Sequence, residues 1–278
     1  MFNALLGVNQ ALVKLVNAGF APVFQSGLRS ACAFLPVLAF ALLARRRLSV
    51  TDGTLGLGLA NGLLFSGEFC LLFLALDYTS VARVSLLFYT MPLWLTLAAH
   101  VFIPGERLTR WRVAGLAIAI AGVALALLDS AEATSTDAWI GDLLALAAAM
   151  FWGGIALLTR TTRLSQCTPE MNLLYQLAVS AVVLLAISPL FGDTIREVTP
   201  LVLGMFTFQV VVIVAVGFVV WFWILSVYPT SNMASFSLLA PLFGVLSGWL
   251  IFDDHISLTF VTALALVVGG IVLINRRA

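Results

Sequence analysis

Polar side chains are scarce in this chain, and inside its apolar stretches they recur at helical spacing. Asn3, Gly7, Gln10, Lys14 and Asn17 step by 4, 3, 4 and 3 residues, and Gln25, Arg29, Cys32 and Pro36 step by 4, 3 and 4. Asn61 and Glu68 lie seven apart, Ser85, Tyr89, Thr96 and His100 form a further stripe, and Gln209 shares a face with Trp223. Residues three and four apart occupy one side of a helix, so several helices each offer one polar stripe to a common centre. The chemistry this allows is solvation and passage of a polar solute. Glu68 is the only acid expected deep in an apolar segment, and Lys14 and Arg29 are the cations at comparable depth. Two readings follow. They are an ion-paired tie between three helices, or a site that contacts a charged group of a substrate or carries a proton.

Covalent chemistry has little to work with. The two histidines, His100 and His255, fall at opposite faces of the membrane, and there is no HExxH and no pair of aspartates within a span. An intramembrane enzyme needs a clustered nucleophile, base or metal ligands. No GxxxxGK[ST] loop is present, so direct drive by a nucleotide is excluded. Rings of charge or pore-lining carbonyl loops of the channel type are absent from the pattern, and no basic tract suits nucleic acid. The three cysteines, Cys32, Cys70 and Cys167, form no CxxC and read as buried thiols.

The elements that would position these residues are membrane helices. Hydrophobic residues make up 62% of the chain and charged residues 10%, against roughly 45–50% and 25% in soluble domains. Hydropathy and helix breakers predict ten spans, near 1–18, 20–44, 54–77, 80–103, 109–128, 138–160, 169–192, 203–226, 229–252 and 257–275. The chain opens inside an apolar stretch with no leading basic region, as though the first helix started earlier. With the amino terminus in the cytoplasm, the inner joints hold Arg45, Arg46, Arg47, Arg107, Arg110, Arg112, Arg160, Arg163, Arg276 and Arg277, and the outer joints hold Arg196 alone. This bias predicts both termini inside a plasma membrane.

The two halves also match each other. Gly7 and Lys14 align with Gly153 and Arg160 at an offset of 146, Pro22 with Pro169 at 147, Tyr78 with Tyr228 at 150, Pro92 with Pro241 at 149, and Gly122 with Gly270 at 148. Five spans per half place the second copy in the opposite sense, with repeats near 1–128 and 138–278. Inverted halves around a midplane site are the architecture of alternating access.

The pattern Gly7-Val8-Asn9, Lys14, Pro22 and Arg29 resembles the first two helices of the drug/metabolite transporter superfamily, EamA branch. Leu76 to Val84, Tyr89-Thr90-Met91-Pro92, Gly105-Glu106-Arg107-Leu108 and Gly115 to Gly122 resemble helices three to five of that family, and Trp152-Gly153, Ala240-Pro241-Leu242 and Gly269-Gly270 fit its second half. Many members carry Trp before the first Gly; Leu6 stands there in this chain, while Trp152 keeps the aromatic in the second copy. Within the family the chain is most similar to bacterial exporters of aromatic and other bulky amino acids. The resemblance implies an all-α integral membrane transporter domain in the inner membrane, with a small-molecule substrate and the lipid bilayer as its partners and no cofactor. An exporter of another metabolite or drug class is the alternative. No segment marks an oligomeric state.

The candidate cavity residues are then Asn9, Gln10, Lys14, Asn61, Glu68, Tyr78, Tyr89, Trp94, Trp152 and Gln209. Pro92 and Pro241, at matched mid-span positions, are the candidate hinges, because each removes a backbone donor and bends its helix. Tyr78, Tyr89, Trp94, Trp152, Trp221 and Trp223 suit an apolar or aromatic substrate side chain, whereas Trp111 and Trp139 read as interfacial belts. Gly58/Gly62 and Gly244/Gly248, four apart, read as helix contacts.

Overall fold

A chain this apolar can satisfy its backbone in lipid only by closing hydrogen bonds within each segment, and helices are what it forms. The structure, a computed structural model, describes residues 2–129, 136–217 and 239–275. The helices are α1 (Phe2–Val16), α2 (Pro22–Leu43), α3 (Leu55–Tyr78), α4 (Val81–Phe88), α5 (Met91–Phe102), α6 (Arg110–Leu128), α7 (Ala138–Thr161), α8 (Pro169–Ile187), α9 (Pro200–Phe208), α10 (Leu239–Phe252) and α11 (Leu258–Asn275). From Gln209 to Val216 α9 continues as a π-helix. Among the described residues the sole extended pairing is an isolated bridge between Phe20 and Ile195. Among the described residues seven helical stretches are long and apolar enough to cross a membrane, α4 and α5 counting together as Val81–Phe102, and three shorter apolar stretches accompany them.

Local sequence explains the helix starts. Ser80, Thr109, Thr168 and Thr199 each accept a backbone N–H of the first turn of α4, α6, α8 and α9. Pro22, Pro92, Pro169 and Pro200 occupy the first or second helical position, where a missing donor is harmless. The fourth apolar segment is two helices, not one. The first ends at Tyr89 and the second begins at Met91-Pro92. Pro92 therefore sits at the start of α5, just beyond a break. Pro241 lies buried in the first turn of the described part of α10, and what precedes Leu239 is outside the described residues.

Small residues set the helix contacts. A Cβ on Gly115 of α6 would come 2.6 Å from the Gly270 carbonyl of α11, and one on Gly270 would come equally close to the Gly115 carbonyl. Gly58 and Gly62 of α3 lie against Tyr175 and Val179 of α8, Gly7 of α1 against Phe243 of α10, and Gly244 of α10 against Ser85 of α4. Close backbone approach of this kind is how helices associate without a hydrophobic driving force. The outer faces carry large apolar side chains, Leu43 at 86% exposure and Leu258 at 82% being examples, as lipid contact requires.

Three expectations are corrected here. Cys32 is exposed, because an apolar segment in a membrane need not face inward. On α2 the inward line runs through Ser26, Ser30, Ala33, Val37 and Ala41, so the Gln25–Arg29–Cys32–Pro36 stripe turns out toward lipid at Cys32. The stripe from Ser85 ends before His100, which is exposed, because the break at Tyr89–Thr90 resets the helical phase.

The α6–α11 contact yields a test. Gly270→Val overpacks it and is expected to lower stability by about 1–3 kcal/mol. Gly269→Ala, whose Cβ meets nothing within 4 Å, is expected to leave the unfolding midpoint in detergent where it is.

Candidate functional site

Helices α1, α2 and α3 and the α9 π-segment pack together, and each carries buried polar side chains. Gln10 and Asn17 come from α1 and the turn after it, Gln25 from α2, Asn61 and Glu68 from α3, and Gln209 from the start of the π-helix; all are buried. Asn9 and Arg29 are half-buried beside them. Among the described residues both amide atoms of Asn61 and of Gln209 lack a hydrogen-bond partner, and so do Asn9 Oδ1, Asn17 Oδ1, Gln25 Oε1 and Arg29 Nη1. A buried polar atom left without a partner costs about 1–3 kcal/mol, so a group of them concentrated on adjoining helices calls for a functional reason.

The charges show the same openness. Arg29 lies over the rings of Phe69 and Phe73, at 4.9 and 5.5 Å from their centroids, and it attracts Glu68 through space. Among the described residues no ion pair within 4.0 Å joins Glu68 to Arg29 or Lys14. The three-way tie is therefore not formed. Lys14 points elsewhere: its Nζ donates to the Thr79 carbonyl at 2.6 Å and lies 5.4 Å from the Phe252 ring centroid. Gln10 Oε1 accepts from Ser85 Oγ, linking α1 to α4.

Aromatic residues gather at the α4–α5 break. Phe88 stacks on Trp152 of α7 at 4.9 Å and 12°, and Tyr89 meets the same indole edge-on at 6.0 Å and 68°. Trp94 Nε1 donates to Thr90 Oγ1 at 3.2 Å. Tyr78 is apart from this group, 41% exposed at the end of α3. Asn3 has no described side chain, and Trp221, Trp223 and Tyr228 lie outside the described residues.

The description of the EamA-like transporter family matches residues 3–128 and again residues 139–276. This chain belongs to the EamA-like transporter family. It is a multi-pass membrane transporter. A protein of Escherichia coli (strain K12) named "Probable amino-acid metabolite efflux pump" is 28% identical over 276 residues, covering 95% of this chain and 89% of that protein. "Uncharacterized transporter YoaV" of Bacillus subtilis (strain 168) is 25% identical over 252 residues, 90% of this chain and 86% of its own length. A solved crystal structure shares the fold with a TM-score of 0.69 at 24% identity, covering 98% of this chain and 94% of that one.

One feature of this EamA-like transporter escaped the sequence reading. Arg83 and Asp142 form a buried ion pair, with side chains 4% and 2% exposed. Arg83 Nε donates to Asp142 at 3.0 Å, Arg83 Nη1 to the Asp129 carbonyl at 2.8 Å, and Thr79 Oγ1 to Asp142 at 3.3 Å. Asp254 Oδ2 accepts the Ala82 N–H at 3.0 Å, an acid at the positive end of α4. Ser257 Oγ donates to Asp129 Oδ2. The ends of α3, α6, α7 and α10 are thus drawn onto the start of α4. Asp142 lies one turn inside α7 and reads in sequence as an interfacial acid. Its spatial nearness to Arg83, 59 residues earlier in the chain, has no signal in spacing.

Removing one partner of a buried pair leaves an uncompensated charge. Arg83→Met is expected to cost roughly 3–5 kcal/mol, and Arg83→Met with Asp142→Leu to recover most of it. Unfolding midpoints of the single and double variants measure this, and equal losses in the two would contradict it.

Proposed function

We propose that this transporter exports amino acids with bulky or aromatic side chains across the bacterial inner membrane, by alternating access of two inverted five-helix halves. The observation that carries the reading is a pair of opposite charges, Arg29 and Glu68, held in one interior without touching. Asn61, on the helix of Glu68, and Gln209, on the π-segment packed against α2, have amides without a hydrogen-bond partner among the described residues. An amino acid brings a carboxylate and an ammonium, so its two ends complement Arg29 and Glu68. The Phe69 and Phe73 rings beneath Arg29 offer an apolar wall to its side chain. A charge in a span is tolerable when it faces such an interior. The name of the Escherichia coli relative, an amino-acid metabolite efflux pump, supports export and amino-acid chemistry without specifying the side chain.

Ten spans follow if α4 and α5 count as one and α1, α9 and α10 cross despite their shorter described lengths. The packing supports two inverted halves. Writing the spans in order, the second meets the seventh, the fourth meets the ninth and the fifth meets the tenth (α2 with α8, α4 with α10, α6 with α11). Further contacts between the halves occur in exchanged pairs: α3 with α7 and α1 with α9, α3 with α8 and α2 with the π-segment, α1 with α10 and α4/α5 with α7. Each is what a two-fold operation relating span n to span n+5 produces. The family description matching twice, once per half, agrees. Arg46–Glu170 and Arg160–Glu106 join inner joints only, and Arg196–Asp77 joins outer ones, in keeping with the charge-derived orientation and both termini in the cytoplasm.

Counterflow of labelled Phe or Met in proteoliposomes tests the function. Saturable exchange is expected, with Arg29→Gln and Glu68→Gln each raising the half-saturation concentration by about tenfold or more, the scale of a charge-assisted contact. Glu68→Gln is also expected to change the pH profile of transport. Absence of saturable exchange across a panel of amino acids would overturn the assignment.

A further inference from the structure

A second polar site lies at the other end of the molecule from the Arg83–Asp142 pair. The α2–α3 and α7–α8 connections enclose a cavity of about 160 Å³ whose lining includes Arg47, Asp52, Thr54, Arg163, Gln166 and Thr168. Its walls are tied together. Thr168 Oγ1 donates to the Arg47 carbonyl at 3.2 Å, Tyr175 Oη donates to the Ser49 carbonyl at 3.3 Å, and Tyr175 Oη lies 3.3 Å from Thr54 Oγ1.

Two pairs of arginines on this end differ in their partners. Arg46 has Glu170 at 2.9 Å and Arg160 has Glu106 at 2.6 Å. Arg47 and Arg163 have no side-chain hydrogen bond or ion pair among the described residues, yet both line the cavity. Asp52 is the one acid in the lining, and its Oδ1 is occupied by the Thr54 amide and hydroxyl at 3.1 and 2.5 Å. Asp52 attracts Arg47 through space without forming an ion pair, so the cavity keeps an excess of one positive charge and two guanidinium forks free of hydrogen bonds among the described residues, a donor geometry that matches phosphate oxygens.

Its depth points to the same ligand. Leu42 and Leu43, 62% and 86% exposed at the end of α2, stop one turn before Arg47. The cavity thus opens just past the apolar collar, at the level where lipid headgroups lie, and basic pockets between helices at that level hold anionic headgroups.

We infer that the cavity lined by Arg47 and Arg163 binds a phosphate group carrying net negative charge, as borne by an anionic phospholipid headgroup. The inference concerns a site separate from the transport interior, and its test reads binding rather than flux.

The purified full-length chain in neutral detergent is titrated with short-chain phosphatidylglycerol, short-chain phosphatidylcholine and inorganic phosphate, and its unfolding midpoint is followed. Phosphatidylglycerol is expected to raise the midpoint saturably. The concentration needed is expected to rise roughly tenfold in Arg47→Gln/Arg163→Gln, the scale set by losing charge-assisted bonds. Arg45→Gln/Arg107→Gln, which removes two exposed charges from the same end outside the cavity lining, is expected to respond like the parent. Competition by inorganic phosphate supports the same chemistry with a soluble source. An unchanged response in Arg47→Gln/Arg163→Gln, an equal loss in the control pair, an equal response to phosphatidylcholine, or no response at all overturns the inference.

Discussion

Hydrocarbon offers no hydrogen bonds, so every polar group in this protein either finds a partner in the chain or faces an enclosed, polar interior. That constraint explains why the backbone is helical, why hydroxyl residues cap four of the helices, and why Gly115 and Gly270 bring two helices close enough to touch along their backbones. It also separates two kinds of polar residue. Arg83, Asp142, Thr79 and Lys14 are bonded within the chain and hold helix ends together. Asn61, Gln209 and the Arg29 Nη1 atom are buried without a hydrogen-bond partner among the described residues. The first kind builds the frame, and the second marks where something other than the frame belongs.

The break in the fourth apolar stretch sits between these regions. α4 is anchored by the Arg83 network at one end and touches α1 through Ser85 and Gln10. At its other end Phe88 and Tyr89 pack on Trp152, and the chain restarts at Met91-Pro92. A discontinuous helix flanked by two different sets of contacts is a natural place for rigid pieces to pivot, since a broken backbone ladder resists bending less than an intact one. The π-segment opening at Gln209 gives α9 a comparable irregularity beside the polar interior.

Much of this was legible in the sequence, and the failures have physical causes. The stripes on α1 and α3 hold their register because those helices run unbroken, so Gln10, Asn17, Asn61 and Glu68 are buried where spacing places them. The α2 stripe holds at Gln25 and Arg29 but fails at Cys32, because a polar or cysteine side chain in an apolar segment carries no label for which side lipid lies on. The fourth stripe was lost at Tyr89–Thr90, where two helices replace one. Asp142 was invisible as a buried acid because its partner Arg83 is brought to it only by the packing of α4 on α7. The expected tie of Lys14 and Arg29 to Glu68 failed for a similar reason: the Thr79 carbonyl at the α3–α4 joint lies nearer to Lys14 than any helical spacing could indicate.

The central claim is that the polar interior around Asn61 opens to water during the working cycle. A single cysteine at Asn61, in a background with Cys32, Cys70 and Cys167 replaced by Ala, tests it with a membrane-impermeant maleimide in proteoliposomes. Labelling that is slowed by Phe, with no labelling of a cysteine placed at exposed Leu59 on the lipid side of the same helix, is the result predicted. An Asn61→Cys protein that stays folded and never labels from either side would contradict it.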